Sequence, residues 1–212
     1  GSTSVAQRGT SSTGIGASSG YFTCDRWKIT TGNTAGRLTM TQDSSAPSGT
    51  GLANSIKLDC TTADTSIAAD ELTIIGQSIE GQNLQTTQKG TSSAVPITVS
   101  FYAKANASAT YVAELFDHDN TRNNTRAFTV GTDWARVELT FIPDTTGTLD
   151  DDNAASLTFQ IWLHAGSTYS GGTFSDNTWQ SVTAANRYAG SRTSIFDSTS
   201  RELFLTGLQL EV

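Results

Sequence analysis

The sequence is poor in the residues that most often carry chemistry. Among 212 residues there are two cysteines, two histidines, three prolines and one methionine, and lysine and arginine together number 13. Each scarcity excludes something. Cys24 and Cys60 cannot build a disulfide scaffold or a metal-binding knuckle. They read either as two small buried hydrophobes or as a single bridge, which would require Cα atoms about 4.4–6.8 Å apart. The basic residues are scattered along a chain of net charge −7 and form no stripe able to neutralise phosphates, so nucleic acid is not an expected partner. No apolar run approaches the roughly 18–20 residues that span a bilayer, so membrane insertion is not expected. No charged start leading into an apolar core resembles a signal peptide. With charged residues at only 16%, the chain also lacks the Glu, Lys, Ala and Leu content of a helical bundle.

What is present is alternation. Apolar and polar residues exchange places with period two in "SIKLDC", "ITVSFYAK", "TYVAELFD", "WARVELTFI", "SLTFQIWLHAG" and "ELFLTGLQLEV". The pattern predicts strands near 21–30, 36–42, 54–61, 72–80, 96–105, 109–117, 125–130, 134–142, 155–165 and 202–212. In the last of these it sets Phe204, Leu208, Leu210 and Val212 on one side, with Gly207 permitting a bend or bulge. Ser, Thr, Gly and Asn fill the connections, and residues 82–90 are expected to hold one helical turn. About ten strands with one-sided alternation predict an all-β fold, a jelly-roll-like sandwich of two antiparallel sheets. No linker divides it, so residues 21–212 are expected to form one domain. Residues 1–20 are small and polar and read as an extended arm, ordered only if something packs on it.

The sequence offers little to catalysis. His118 and His164 are the only histidines, and His164 follows Trp162 in alternation, which places it on the outward face of a strand. No GxSxG elbow is present, and the glycine-rich "GIGASSG" and "GGTFSDN" lack the P-loop lysine. Twenty acidic residues single out no pair for glycoside hydrolysis. The chain is therefore not expected to be an enzyme. "DHDNTRNNT", with Asp117, Asp119 and Asn120, has hard oxygen donors but not the EF-hand spacing, and Asp150–Asp152 read as a solvated loop. Aromatics in polar surroundings are more suggestive. Tyr169, Phe174, Trp179 and Tyr188, with Asn177 and Gln180 as polar partners, could stack on the apolar face of a sugar and hold its hydroxyls. The alternative is that these rings staple a long connection to the sandwich.

The ordered motifs "VAQRGTS…GYFTCDRW", "QSIEGQNL", "TVSFYAK", "WARVELTF", "IWLHAGSTYSGG…W" and "TGLQLEV" resemble a domain common in bacteriophage virion proteins. That domain is in turn similar to the jelly-roll carbohydrate-binding modules of cellulases and xylanases. The resemblance implies a virion structural domain on the particle's outer surface, in a tail fibre, tailspike or capsid decoration, made in the host cytoplasm. It implies other virion subunits as partners, a homotrimer, and attachment to a host-surface glycan. A dedicated glycan-binding module of a larger protein and a polysaccharide-degrading enzyme are the alternatives. The resemblance also implies a structural calcium near the terminal strands, for which Asp25 and Glu211 are the candidate ligands. Within the DRW motif, alternation sends Asp25 and Trp27 to one face and Arg26 to the other. Trp27 is expected to plug the sandwich, Asp25 to accept backbone hydrogen bonds, and Glu80 to tie the loop after its strand.

Overall fold

Alternation becomes pleated sheet along most of the chain. The computed structural model describes residues 3–212 and contains thirteen strands. They are β1 Ser11–Ile15, β2 Gly20–Tyr21, β3 Lys28–Gly32, β4 Arg37–Asp43, β5 Ser55–Thr62, β6 Leu72–Glu80 and β7 Ile97–Ala105. There follow β8 Ala109–Asp117, β9 Arg122–Val130, β10 Ala135–Phe141, β11 Ala155–Ala165, β12 Gln180–Ser181 and β13 Glu202–Glu211. One sheet has the order β1-β4-β5-β13-β7-β10 and the other β12-β9-β8-β11-β6-β3-β2. Every strand pair in both sheets is antiparallel. Their inner faces close over one apolar core, in which Phe101 meets Phe128 edge-on at 5.3 Å and lies 5.8 Å from Phe159. Cys24 and Cys60 are both buried in it as free thiols.

The structure departs from the period-two reading where the backbone leaves the pleat. The expected strand 21–30 is interrupted, because residues 22–27 turn before β3 begins. Arg26 has φ 69°, and the Trp27 N–H donates to the Cys24 carbonyl at 3.4 Å. The turn drops Cys24 and Trp27 into the core and leaves Asp25 and Arg26 at the surface, so Asp25 and Trp27 do not share a face. In β13, Gly207 has φ 65° and the pairing with β7 slips between Thr206 and Gln209. The slip changes parity: Leu203 and Leu205 face the core before it and Leu208 after it. Phe204, expected beside Leu208, instead lies on the outer face with Lys57 and Lys104 over its ring. Residues 82–90, expected to give one helical turn, meet two short 3₁₀ turns at Gly81–Asn83 and Gln85–Thr87.

Residues 1 and 2 of the arm expected over 1–20 lie outside the described residues. The remainder is tied down at several points. Thr3 is 2% exposed and its hydroxyl donates to the Asn54 carbonyl at 2.7 Å. β1 pairs with β4 through backbone hydrogen bonds, with Ile15 as its anchor in the core.

Candidate functional site

The outer face of the seven-stranded sheet can be built row by row from strand register. One row runs Thr30, Ile74, Trp162, Val112, Ala127 across β3, β6, β11, β8 and β9. The next runs Lys28, Gly76, Gln160, Glu114, Thr125, and a third places Ser78, Thr158, Phe116 and Asn123 side by side. Apolar residues dominate the first row and polar ones the other two, and the chain treats them differently.

The apolar row is roofed. Residues 166–201, between β11 and β13, double back over it and begin with a single helical turn, α1 Ser167–Ser170. Tyr188 stacks on Trp162 with centroids 6.1 Å apart, and Tyr169 packs against the same indole at 5.4 Å. With Ile74 and Val112 these residues form a second small core outside the sandwich, against which Phe174 also packs. Arg187 locks the roof to the middle row. Its guanidinium lies 4.6 Å from the Trp162 ring centroid and 4.9 Å from that of Phe116. It donates twice to the carboxylate of Glu114, at 2.9 and 2.8 Å. Glu114 has no exposed surface and also accepts from Asn123, Gln160 and the Trp162 indole. A buried charge so fully paired and hydrogen-bonded holds one geometry.

Beyond Arg187 the face is open. Lys28, Thr30, Ser78, His118, Thr158 and Gln160 surround a small depression over Gly76. A side chain at Gly76 would meet the Phe159 carbonyl at 2.6 Å, so glycine is what lets β6 lie flat against β11 here. Thr158 links the floor, sharing hydrogen bonds with Ser78 (2.9 Å) and His118 Nε2 (2.8 Å). Desolvation lowers the His118 imidazole from its ordinary value despite the nearby Asp119 and Asp117. At Ser78 the depression opens into a groove of about 700 Å³, lined among others by Arg8, Tyr21, Asp25, Arg26, Glu80 and Asn153. Tyr21 is 45% exposed, with the Arg8 guanidinium 5.4 Å from its ring centroid. Asp25 accepts from the Gln7 N–H at 3.2 Å and pairs with Arg8 at 3.5 Å, while Glu80 accepts from the Gln82 amide at 2.8 Å. Among the described residues neither Arg26 nor Lys28 has an ion pair, and both side chains line the open face.

The residues expected to form a sugar platform do not come together as one. Tyr188 is 3% exposed and its hydroxyl donates to the Thr193 carbonyl, so it is unavailable to a ligand. Tyr169 is committed to Trp162, and Phe174 lies under the Arg192 guanidinium at 4.4 Å. Trp179 sits at the β9 edge, donating to the Ile142 carbonyl at 2.8 Å with Lys89 Nζ 5.1 Å from its ring centroid. Asn177 accepts from the Ile142 N–H, and Gln180 pairs with Asn123 in β12. These residues fasten the excursion to the sandwich, which a connection of this length requires. Sequence pattern does not single out Tyr21, an exposed ring with the distant Arg8 over it, or Arg26, which lines the same groove, because both lie in a stretch that reads as one strand.

The metal candidates are also redistributed. Asp25 belongs to the groove, whereas Glu211 is exposed on β13 of the other sheet, opposite Thr98. In the Asp117 loop the cation is supplied by the chain: Lys89 Nζ donates to Asp117 at 2.5 Å and lies 3.2 Å from Asp144. His164, expected to face outward, has no exposed surface, because Glu71 and residues 194–196 close over it. Among the described residues, Asp64, Glu71 and His164 are the one group of three such side chains whose ligand atoms lie within 4.8 Å of one another.

No family model and no curated protein sequence matches the chain. Solved structures do, at low identity. The enzymatically active domain of tailspike protein 4 of bacteriophage CBA120 is 13% identical with a TM-score of 0.46, over 88% of this chain and 19% of that one. The chain thus spans about a fifth of the length of that tailspike domain. A family 30 carbohydrate-binding module is 15% identical with a TM-score of 0.45, over 99% of this chain and 84% of its own. A family 11 module from Clostridium thermocellum, in complex with a β-1,3-1,4-mixed-linked tetrasaccharide, is 12% identical with a TM-score of 0.42, over 95% of both chains. At these values the likeness is one of architecture and says nothing about what this chain binds.

Proposed function

We propose that this chain is a non-catalytic glycan-binding β-sandwich on the outer surface of a bacteriophage particle, and that it takes an acidic polysaccharide of the host in the groove at Tyr21. The observation that carries the reading is a pair of unpartnered cations. Along the open face Asp25 is taken by Arg8 and Glu80 by the Gln82 amide, while Arg26 and Lys28 have no carboxylate partner among the described residues of a chain of net charge −7. Arg26 is moreover held at φ 69°, a conformation costing a non-glycine residue roughly 1–2 kcal/mol. Strain kept at an unpaired surface cation supports a binding role. The exposed Tyr21 ring, with Ser78 and Asn153 in the same groove and Thr158 in the adjoining depression, supplies the stacking surface and polar partners that a sugar requires.

The virion setting, the host-attachment role and the trimer are proposals that rest on the sequence motifs. A particle building block with no glycan affinity of its own is the competing reading. A screen of the purified chain against neutral and uronate- or sialate-bearing polysaccharides separates the two. Acidic glycans are expected to bind, with affinity falling as salt rises. Arg26→Gly is expected to remove that binding while leaving the fold intact, because glycine suits the positive φ. Silence across the whole screen, or binding untouched by both Arg26→Gly and Tyr21→Ala, would reject the groove as a glycan site.

A further inference from the structure

We propose that Asp64, Glu71 and His164 form a binding site for one divalent transition-metal ion of the zinc class. Asp64 and Glu71 come from the two ends of the loop between β5 and β6, and His164 from the end of β11. They are 5%, 4% and 0% exposed. Among the described residues the only ion pair either carboxylate makes is that of Glu71 with His164, Oε2 to Nε2 at 2.9 Å. Two buried carboxylates beside one imidazole bring more negative than positive charge into a desolvated site, which favours a cation between them.

The surrounding hydrogen bonds favour the metal. Asp64 Oδ2 accepts from the Thr34 hydroxyl (3.0 Å) and the Ala35 and Gly36 N–H groups (2.8 and 3.2 Å). Glu71 Oε1 accepts from the Ala68 N–H at 2.8 Å. His164 Nδ1 is bonded to Ser194 Oγ at 2.7 Å, and that oxygen accepts the Phe196 N–H at 3.0 Å. Each of the three side chains is thus held by at least one outer partner, as metal ligands are, with one ligand atom of each within 4.8 Å of the others. To surround an ion with bonds of about 2.0–2.2 Å the more distant of these atoms would close in, while Glu71 Oε2 and His164 Nε2 would part and exchange their 2.9 Å hydrogen bond for the ion. One imidazole nitrogen with two carboxylate oxygens suits zinc, cobalt or nickel better than calcium or magnesium, which take oxygen ligands.

The ion would tie the β3–β4 turn, the β5–β6 loop and β11 to the excursion through Ser194. The site is remote from the groove: His164 and Thr158 are separated along β11 by roughly 20 Å at strand spacing.

The test uses the tag-free chain, stripped with chelator and titrated separately with Zn²⁺, Co²⁺ and Ca²⁺. About one equivalent of Zn²⁺ or Co²⁺ is expected to bind and raise Tm, and Co²⁺ to show visible bands of a low-coordinate site. His164→Gln is expected to abolish the bands and the Tm rise. Because that variant risks misfolding, Glu71→Gln provides a second loss of ligand charge, and the wild-type Co²⁺ spectrum stands independently of both. A stripped chain with neither cobalt bands nor any Tm response to Zn²⁺, or one responding to Ca²⁺ alone, would overturn the proposal.

Discussion

Replacing Arg187 by methionine removes the cation that fastens the excursion 166–201 to the sheet. The substitution keeps an unbranched side chain of similar reach but takes away the guanidinium that lies over Trp162 and Phe116 and both of its hydrogen bonds to Glu114. Glu114 has no exposed surface, so its charge would remain buried with only the Asn123, Gln160 and Trp162 donors. Breaking a buried pair from one side costs about 3–5 kcal/mol. The surviving donors, and the 14% exposure of the Arg187 side chain, argue for the lower end of that range. For a chain of this size each kcal/mol corresponds to about 2–4 °C, so a loss of about 6–12 °C in Tm is expected. Thermal unfolding together with limited proteolysis would show it, with new cleavage confined to 166–201. Pairing Arg187→Met with Glu114→Gln is expected to recover part of the loss, since no uncompensated charge is then left inside. If Arg187→Met alone lies within about 0.5 kcal/mol of the wild type, the ion pair does not hold the excursion and the reasoning fails.

Other consequences concern charge, strain and thiols. Burial alone would raise the Asp144 carboxyl, but hydrogen bonding from Arg122, the charge of Lys89 and the Thr146 N–H outweigh it and leave it below the usual carboxylate range. A depressed folded-state value contributes stability above the unfolded value of about 3.9 and loses it as pH falls through the folded one. Denaturation midpoints measured between pH 7 and pH 2 are therefore expected to drop on the acid side, and Asp144→Asn to flatten that limb; an unchanged slope in the variant would assign the acid loss elsewhere. Thr121 is exposed with φ 51°, unfavourable for a β-branched residue, so Thr121→Gly is expected to raise stability by about 1 kcal/mol in urea unfolding, and a fall would contradict the strain. Desolvation raises both thiols, Cys60 to about 11. Neither is expected to react with a thiol reagent until the chain unfolds, so prompt labelling of the native protein at pH 8 would show the core to be more open than described.

Much of the sandwich is legible because period two is a backbone property. β7, β8 and β11 run over the residues that alternation marks, and Val99, Phe101 and Ala103, Tyr111, Ala113 and Leu115, and Leu157, Phe159 and Ile161 face the core. Pattern fails where something other than side-chain period sets the structure. β1 is held by backbone pairing with β4 around a single buried isoleucine, so "SSTGI" carries no alternation to read. The Arg26 turn and the Gly207 slip each shift parity, and only the second is announced by a glycine. The excursion was the hardest to read. Its aromatics have the composition of a sugar platform, yet Trp162 beneath them offers an apolar surface that must be covered, and they cover it. His164 was misplaced for the same reason: alternation sets the direction of a side chain, not what folds back over it. Glu114 and Arg187, which decide that covering, lie far apart in sequence and share no motif.

The groove is tested most directly by NMR titration of the labelled chain with oligosaccharides from acidic host-type polysaccharides. Saturable backbone shifts at Tyr21, Asp25–Lys28, Ser78–Glu80 and Asn153–Gln160 are the expected result. Shifts confined to the excursion around Trp179, or none with any acidic fragment, would contradict the assignment of this face as the glycan site.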